Sequence, residues 1–254
     1  MRDNLSRMIR AHGLEKEFRP PGGMRELLRG RLFGPPVRAL AGVSLEVAEG
    51  EIACLMGPNG SGKTTLLRIL AGLLLPTAGR AEIAGLDVAH GGPRLRREVS
   101  MVIGDERSFH GDLTGRENLL FFASLHGLSA REFRVRGKLL FERLGLADAA
   151  DRRFVTYSRG MKQRLALARG LLGSARVLLL DEPTLGLDPV AARELRRFLR
   201  DDVIKGEGRT ALVGSNDPVE VRTLCDRVLY LEQGNLRGQS APEEVDHWLG
   251  LRAG

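Results

Sequence analysis

Eight consecutive residues, Gly57, Pro58, Asn59, Gly60, Ser61, Gly62, Lys63 and Thr64, fit the pattern Gly-x-x-x-x-Gly-Lys-Ser/Thr at every constrained position. Glycines let successive backbone N–H groups curl round an anion, and a helix starting at the lysine aims its positive end at the same charge. The pattern predicts a phosphate cradle for a nucleotide. Lys63 would neutralise β- and γ-phosphate oxygens, the Thr64 hydroxyl would ligate Mg²⁺, and Thr65 follows in the first helical turn. A second group comes from residues 177–180, four apolar positions followed by Asp181 and Glu182. A carboxylate at the end of a buried strand can reach a metal shell, and its neighbour can act as general base on water. By itself an apolar run ending in Asp-Glu reads better as a strand-end cap; beside the loop at 57–64 it becomes a metal ligand and a base.

Positioning these groups requires strand, loop and helix in succession. Residues 51–56 form an apolar run of strand length, and residues 63–74 place Leu66, Leu67, Ile69, Leu70 and Leu73 on one helical face. Further strands are expected at 43–47, 81–84, 99–103, 177–180, 210–214 and 228–231, with a polar connection carrying Gly91, Gly92 and Pro93. Residues 113–172 pattern as helix throughout, with helices at 119–125, 133–144 and 161–172, and read as an inserted helical lobe. Helices at 190–202 and 219–225 separate the later strands. Strands alternating with helices imply a mainly parallel α/β sheet.

The chain has 254 residues, 43% apolar and 28% charged, the balance of one folded domain rather than a disordered chain. No apolar run approaches the roughly 20 residues of a spanning helix. Residues 1–14 hold no continuous apolar stretch, so no secretory leader is read and a cytoplasmic location is expected. Cys54 and Cys225 lack metal-ligand spacing and read as small core residues. The net charge of +7 is uneven: residues 1–40 hold nine Arg or Lys against four Asp or Glu, leaving only +2 for the rest. This confines the basicity to the N-terminal segment and weakens a nucleic-acid reading.

An ordered set of motifs gives this chain a family resemblance over residues 8–240. After the glycine-rich loop come Tyr157-Ser158-Arg159-Gly160-Met161-Lys162-Gln163-Arg164-Leu165, then Asp181-Glu182-Pro183-Thr184, then Gly186-Leu187-Asp188. These resemble the signature, Walker B and D-loop segments of the ATP-binding subunits of ABC transporters. The resemblance implies an α/β fold: a P-loop NTPase (RecA-like) core with a mainly parallel sheet, an N-terminal antiparallel β part and a helical subdomain at 105–170. It implies ATP and Mg²⁺ as cofactors, with head-to-tail dimerisation and each ATP held between one subunit's phosphate loop and the other's Ser158 and Gly160. Asp188 belongs to the same interface. Ser158 also reads simply as a helix N-cap, and the two readings are compatible.

Two positions depart from the family pattern. Its Q-loop glutamine lies eight residues before the leucine of Leu113-Thr114-Gly115-Arg116-Glu117-Asn118, which here gives Asp105, a candidate Mg²⁺ ligand or water-orienting group beside Glu106. Its switch histidine is replaced by Asn216, whose amide can donate to a γ-phosphate but cannot carry charge or a proton. With Glu182 present, a slow ATPase is expected. Phe18 stands where the family stacks adenine, against the alternative of an ordinary core ring, and Phe33 is the reserve. Between them lies a basic insertion at 19–38 with Met24, Leu27, Leu28, Leu32 and Phe33 at helical spacing among Arg25, Arg29 and Arg31. It is similar to an insertion in polysaccharide-exporter ATPases, and reads either as a basic amphipathic helix or as a solvated loop.

The stretch at 114–118 and the apolar Leu119, Leu120, Phe121 and Phe122 resemble the groove for a permease's coupling helix, most of them lobe core. The leading expectation is an ATPase subunit, a homodimer most readily, that drives a separate ABC-2-like membrane permease in export from the inner face of the membrane. The alternatives are a regulatory ATP-binding subunit with little turnover, motivated by Asp105 and Asn216, and a soluble ABC ATPase acting on ribosomes or DNA.

Overall fold

The computed structural model describes residues 7–21, 32–103 and 108–250. Asp105 and Glu106, and Met24, Leu27, Leu28, Arg25, Arg29 and Arg31 of the insertion, lie outside the described residues. Two sheets carry the site. The first is antiparallel, in the order β2-β1-β4-β5, and is built from β1 (Arg7–Phe18), β2 (Val37–Ala48), β4 (Ala78–Ile83) and β5 (Leu86–Asp87). The second runs β10-β9-β3-β8-β7-β6, and joins β3 (Ile52–Met56), β6 (Val99–Val102), β7 (Val177–Asp181), β8 (Thr210–Ser215), β9 (Arg227–Glu232) and β10 (Asn235–Ser240). All its pairings are parallel except β9 with β10.

Alternation decides which face each residue serves. On β3, Ile52, Cys54 and Met56 join one core cluster while Ala53 and Leu55 join the other; on β7, Leu178 and Leu180 oppose Val177 and Leu179. A strand buried on both faces reads as a continuous apolar run, which explains the patterning at 51–56 and 177–180. Cys54 and Cys225 are buried and free, as expected of core residues.

Helix α1 (Lys63–Leu70) follows β3 after the glycine-rich loop at 57–62. Gly62 precedes it in the left-handed region and supplies no side-chain cap, leaving the first N–H groups of the helix open to an anion. Five later helices are capped by side chains. Thr114 and Glu117 form a capping box on α3 (Gly115–Leu125), and Ser129 and Glu132 form another on α4 (Ala130–Arg143). Ser158 caps α5 (Arg159–Leu172), Asp188 caps α6 (Pro189–Arg197) and Asp217 caps α7 (Pro218–Leu224). A short α8 (Val245–Trp248) lays Trp248 on Tyr230, with ring centroids 4.1 Å apart.

Several expectations change. The polar connection before β6 holds a helix, α2 (Gly92–Glu98), because Pro93 suits a first helical turn rather than a loop. The strand expected at 43–47 is the second half of a twelve-residue β2, whose first half buries only Leu40 and lacks apolar alternation. Helix 190–202 is an α-helix only to Arg197 and continues as π-helix to Gly206. Residues 113–172 are not helical throughout: two single 3₁₀ turns, Ala147–Ala149 and Phe154–Thr156, lie between α4 and α5. Among the described residues no helix is long and apolar enough to cross a membrane.

Candidate active site

Strand β8 lies between β3 and β7, so the loop after β3 and the carboxylates after β7 open at the same edge of the parallel sheet. That is where open α/β sheets bind ligands. Two glycines of the loop have no substitute. A Cβ on Gly57 would stand 2.0 Å from the Leu231 carbonyl oxygen, and Gly62 has φ 109° with its Cβ position 2.6 Å from the Ala39 oxygen. The chain is thus threaded between β9 and β2, and Gly234 N–H donating to Ser61 O at 2.9 Å ties the far side.

Inside this frame Lys63 is buried, and its ammonium donates to Gly57 O at 2.6 Å and Pro58 O at 3.2 Å. Thr64 Oγ1 donates to Asp181 Oδ2 at 2.6 Å. Asp181 Oδ1 and Ser61 Oγ are buried with no hydrogen-bond partner. An orphaned carboxylate oxygen normally costs about 1–3 kcal/mol or more unless a cation or donor satisfies it. A hydroxyl and a carboxylate in contact, one oxygen still unsatisfied, fit the hard-oxygen, partly hydrated binding that Mg²⁺ prefers. Among the described residues no cluster of three or more His, Cys, Asp or Glu could hold a metal by itself.

Glu182 sits at φ 50°, a left-handed backbone unusual for a non-glycine residue. Its N–H donates to Gly214 O at 2.8 Å, which fixes the turn. Burial pushes its carboxyl above the ordinary carboxylate range; Lys63 opposes that shift, Glu220 and Asp181 reinforce it, and the Asn216 backbone N–H bonds to the ionised form. Asn216 Nδ2 reaches Asn59 Oδ1 at 3.4 Å. Lys63, Thr64, Asp181, Glu182, Asn59 and Asn216 therefore meet at one end of the sheet. Gly214 belongs with them though its sequence carries no signal: a Cβ there would stand 3.0 Å from Asp181 Oδ1.

A family profile described as ABC transporter matches residues 40–185. The ABC transporter ATP-binding protein NatA of Bacillus subtilis (strain 168) is 35% identical over 209 residues, 82% of this chain and 84% of that protein. The chain belongs to the ABC transporter ATP-binding proteins. Members are ATPases, and so is this chain. Daunorubicin resistance ATP-binding protein DrrA3 of Streptomyces coeruleorubidus is 39% identical and Nod factor export ATP-binding protein I of Burkholderia thailandensis 40% identical; the chain spans 65% and 66% of their lengths and the matches cover 82% and 80% of the chain. Among solved structures, a dimeric ATP-binding cassette in a post-hydrolysis state with ADP and Pi superposes with TM-score 0.80 at 25% identity, covering 97% of this chain and 100% of that one. CbiO1 of Clostridium perfringens, part of the ABC transporter complex cbiONQ, gives 0.75 at 27% identity, covering 95% and 91%.

Other family motifs of this ABC ATPase lie apart from the phosphate loop. Ser158 is exposed, its hydroxyl accepting from Met161 N–H at 3.2 Å, and the position of a Gly160 Cβ lies 3.2 Å from Leu187 and 3.5 Å from Gly186 O. Signature and D-loop are thus packed together. Asp188 accepts from Val190 and Ala191 N–H groups, which hold its carboxyl below the usual range. Gln163 Nε2 reaches Glu182 O at 3.4 Å, linking α5 to the Glu182 backbone.

Phe18 is not a core ring: it is 41% exposed, with Lys16 Nζ 5.3 Å from its centroid. It ends β1, opposite Val37, where alternation no longer faces a second layer. Two residues earlier Lys16 pairs with Leu40, next to the Ala39 that borders Gly62, so the ribbon carrying Phe18 flanks the phosphate loop. Phe33 is also exposed, bridged to Pro21.

Proposed function

We propose that this chain binds ATP with Mg²⁺, hydrolyses it slowly, and energises a separate membrane permease that exports its substrate. The observation carrying the reading is the convergence of Lys63, Thr64, Asp181, Glu182 and Asn216 at one sheet edge. Lys63 exchanges its loop carbonyls for phosphate oxygens, and the open N-terminus of α1 takes the same negative charge. Thr64 and Asp181 would hold Mg²⁺, which when bound supplies positive charge to the triphosphate. Glu182, in a partly desolvated pocket, accepts the proton of the attacking water. Asn216 offers an amide donor toward the terminal phosphate without titrating. Phe18 stacks on adenine, and Asp105, outside the described residues, remains the candidate for a further Mg²⁺ or water contact.

Exposed Ser158 and half-buried Gly160, with Asp188 nearby, support a second copy completing each ATP site. Export is supported by the relatives named for drug resistance and Nod factor export. For the permease, a groove of about 980 Å³ runs past the end of α3, lined by Leu73, Arg96, Arg97, Phe122, Leu125 and Arg136. Of the four apolar residues expected to be mostly lobe core only Leu119 is buried; Leu120 and Phe121 are exposed, Phe122 reaches the groove and Leu125 is 69% exposed. Placement at the inner membrane face follows from that docking.

Phosphate release by the purified protein tests the catalytic reading. Wild type should exceed Glu182→Gln by about 100-fold or more. Equal rates would make the chain a binding-only subunit, the reading that Asn216 in place of histidine favours.

A further inference from the structure

Glu220 on α7 is 1% exposed, yet no ion pair reaches its carboxyl among the described residues. Burying a carboxyl costs several kcal/mol unless hydrogen bonds replace its water. Here hydroxyls do so. Thr184 Oγ1 donates to Glu220 Oε1 at 2.8 Å, and the Ser215 side chain favours the ionised form of the same carboxyl. Ser215 Oγ in turn accepts from the Asp217 N–H at 3.1 Å, which leaves its proton for Glu220.

The partners matter more than their number. Thr184 lies two residues after Glu182, and Ser215 immediately before Asn216. The two loops are already joined at the backbone, by Glu182 N–H to Gly214 O. Glu220 adds a side-chain clasp behind them, on the face away from the phosphate loop's own ties to β2 and β9. Arg196 of α6, the helix that follows the D-loop, is 8% exposed with Nε unpartnered and acts on Glu220 through its charge.

We propose that Glu220 is a positioning residue for hydrolysis, its buried carboxyl fixing the Glu182 loop through Thr184 and the Asn216 loop through Ser215. The proposal rests on Glu182 acting as the base. Displacing a catalytic group by about 1 Å can cost about 100-fold in rate, so loosening both loops should lower kcat while leaving phosphate-loop contacts intact.

The test measures kcat and KM for MgATP, the Kd of a fluorescent ATP analogue, and thermal stability, for wild type, Glu220→Ala, Glu220→Gln, Thr184→Val, and the Thr184→Val/Glu220→Gln pair. Expected is a fall in kcat of about 10- to 100-fold for Glu220→Ala with KM and Kd within about threefold. Glu220→Gln, which keeps an acceptor oxygen, recovers part of the loss. The double variant is no slower than the worse single, because both changes break one clasp. Unchanged kcat in the variants, or kcat and Kd worsening together, overturns the proposal. If Glu220→Ala does not fold, Thr184→Val and Glu220→Gln decide by the same criteria. Wild type no faster than Glu182→Gln would instead remove the catalytic reading itself.

Discussion

Two alanine substitutions in the phosphate loop separate shape from flexibility. Gly57 has an ordinary backbone, but its Cβ would stand 2.0 Å from the Leu231 carbonyl oxygen, where real contacts essentially never come under 3.0 Å. The obstacle is backbone in β9, which pairs with β3 on one side and β10 on the other, Leu231 itself opposite Leu236. Relief needs a shift of about 1 Å in one ladder or the loop, and overpacking of this kind costs roughly 3 kcal/mol. Gly60 is the contrast, with φ 79° and nothing within 4 Å of its Cβ position. Alanine there meets only the left-handed backbone penalty, roughly 1 kcal/mol. For a chain of this size the melting temperature should drop about 6–12 °C for Gly57→Ala and about 2–4 °C for Gly60→Ala. Urea unfolding without nucleotide gives the free energies directly. Since Gly57 O also holds Lys63, ATP affinity should fall further in Gly57→Ala. A Gly57→Ala protein as stable as wild type, or less perturbed than Gly60→Ala, would refute the threading of this loop between β9 and β2.

Thr64→Val removes the hydroxyl bonded to Asp181 and should weaken ATP binding about 10-fold or more with Mg²⁺ present, yet leave it nearly unchanged in EDTA; parallel titrations of a fluorescent ATP analogue read both. Glu182 carries a raised pKa, so its ionised form costs folding free energy that appears as pH rises from the ordinary carboxylate range through the folded value. Glu182→Gln should accordingly be the more stable protein at pH 7, with the advantage vanishing below pH 4, as urea melts at both pH values would register. The same shift places the acid limb of the kcat profile above the ordinary glutamate range, because protonated Glu182 cannot take the water's proton. Asn216→Ala should lower kcat about 100-fold by removing one donor, whereas Asn216→His should raise it and add a second titration near neutral pH; phosphate release across pH 5–9 reads both.

Legibility in the sequence followed the range of each interaction. The phosphate loop was legible because its constraints are local: a lysine at a helix start, glycines where the backbone must turn or pass close to another chain segment. Buried strands such as β3 and β7 announced themselves through unbroken apolar runs, since both faces are covered. Helices capped at Thr114, Ser129, Ser158, Asp188 and Asp217 each have the cap as the preceding residue, whereas α2, short and opened by Gly92 and Pro93, looked like a loop, and the four-residue α8 gave no helical pattern. Phe18 was ambiguous because one aromatic at a strand end says nothing about whether a second layer covers it.

What stayed hidden depends on residues far apart in the chain. Gly214 is an unremarkable glycine in a strand until β8 is inserted between β3 and β7 and its Cβ position approaches Asp181. Gly57 is required by Leu231, 174 positions away in the sequence. Asn118, fully buried, accepts from His110 N–H and donates to the His110, Leu113 and Thr114 carbonyls, so an amide in an apolar stretch is the organiser of the loop that leads into α3. Glu220 belongs to the same class. Its position on α7 predicts a solvated carboxylate, and only the parallel order of β7 and β8 brings Thr184 and Ser215 within reach of it. Local rules therefore locate the groups that touch ATP, while the groups that hold them in register become visible only when the sheet order is known.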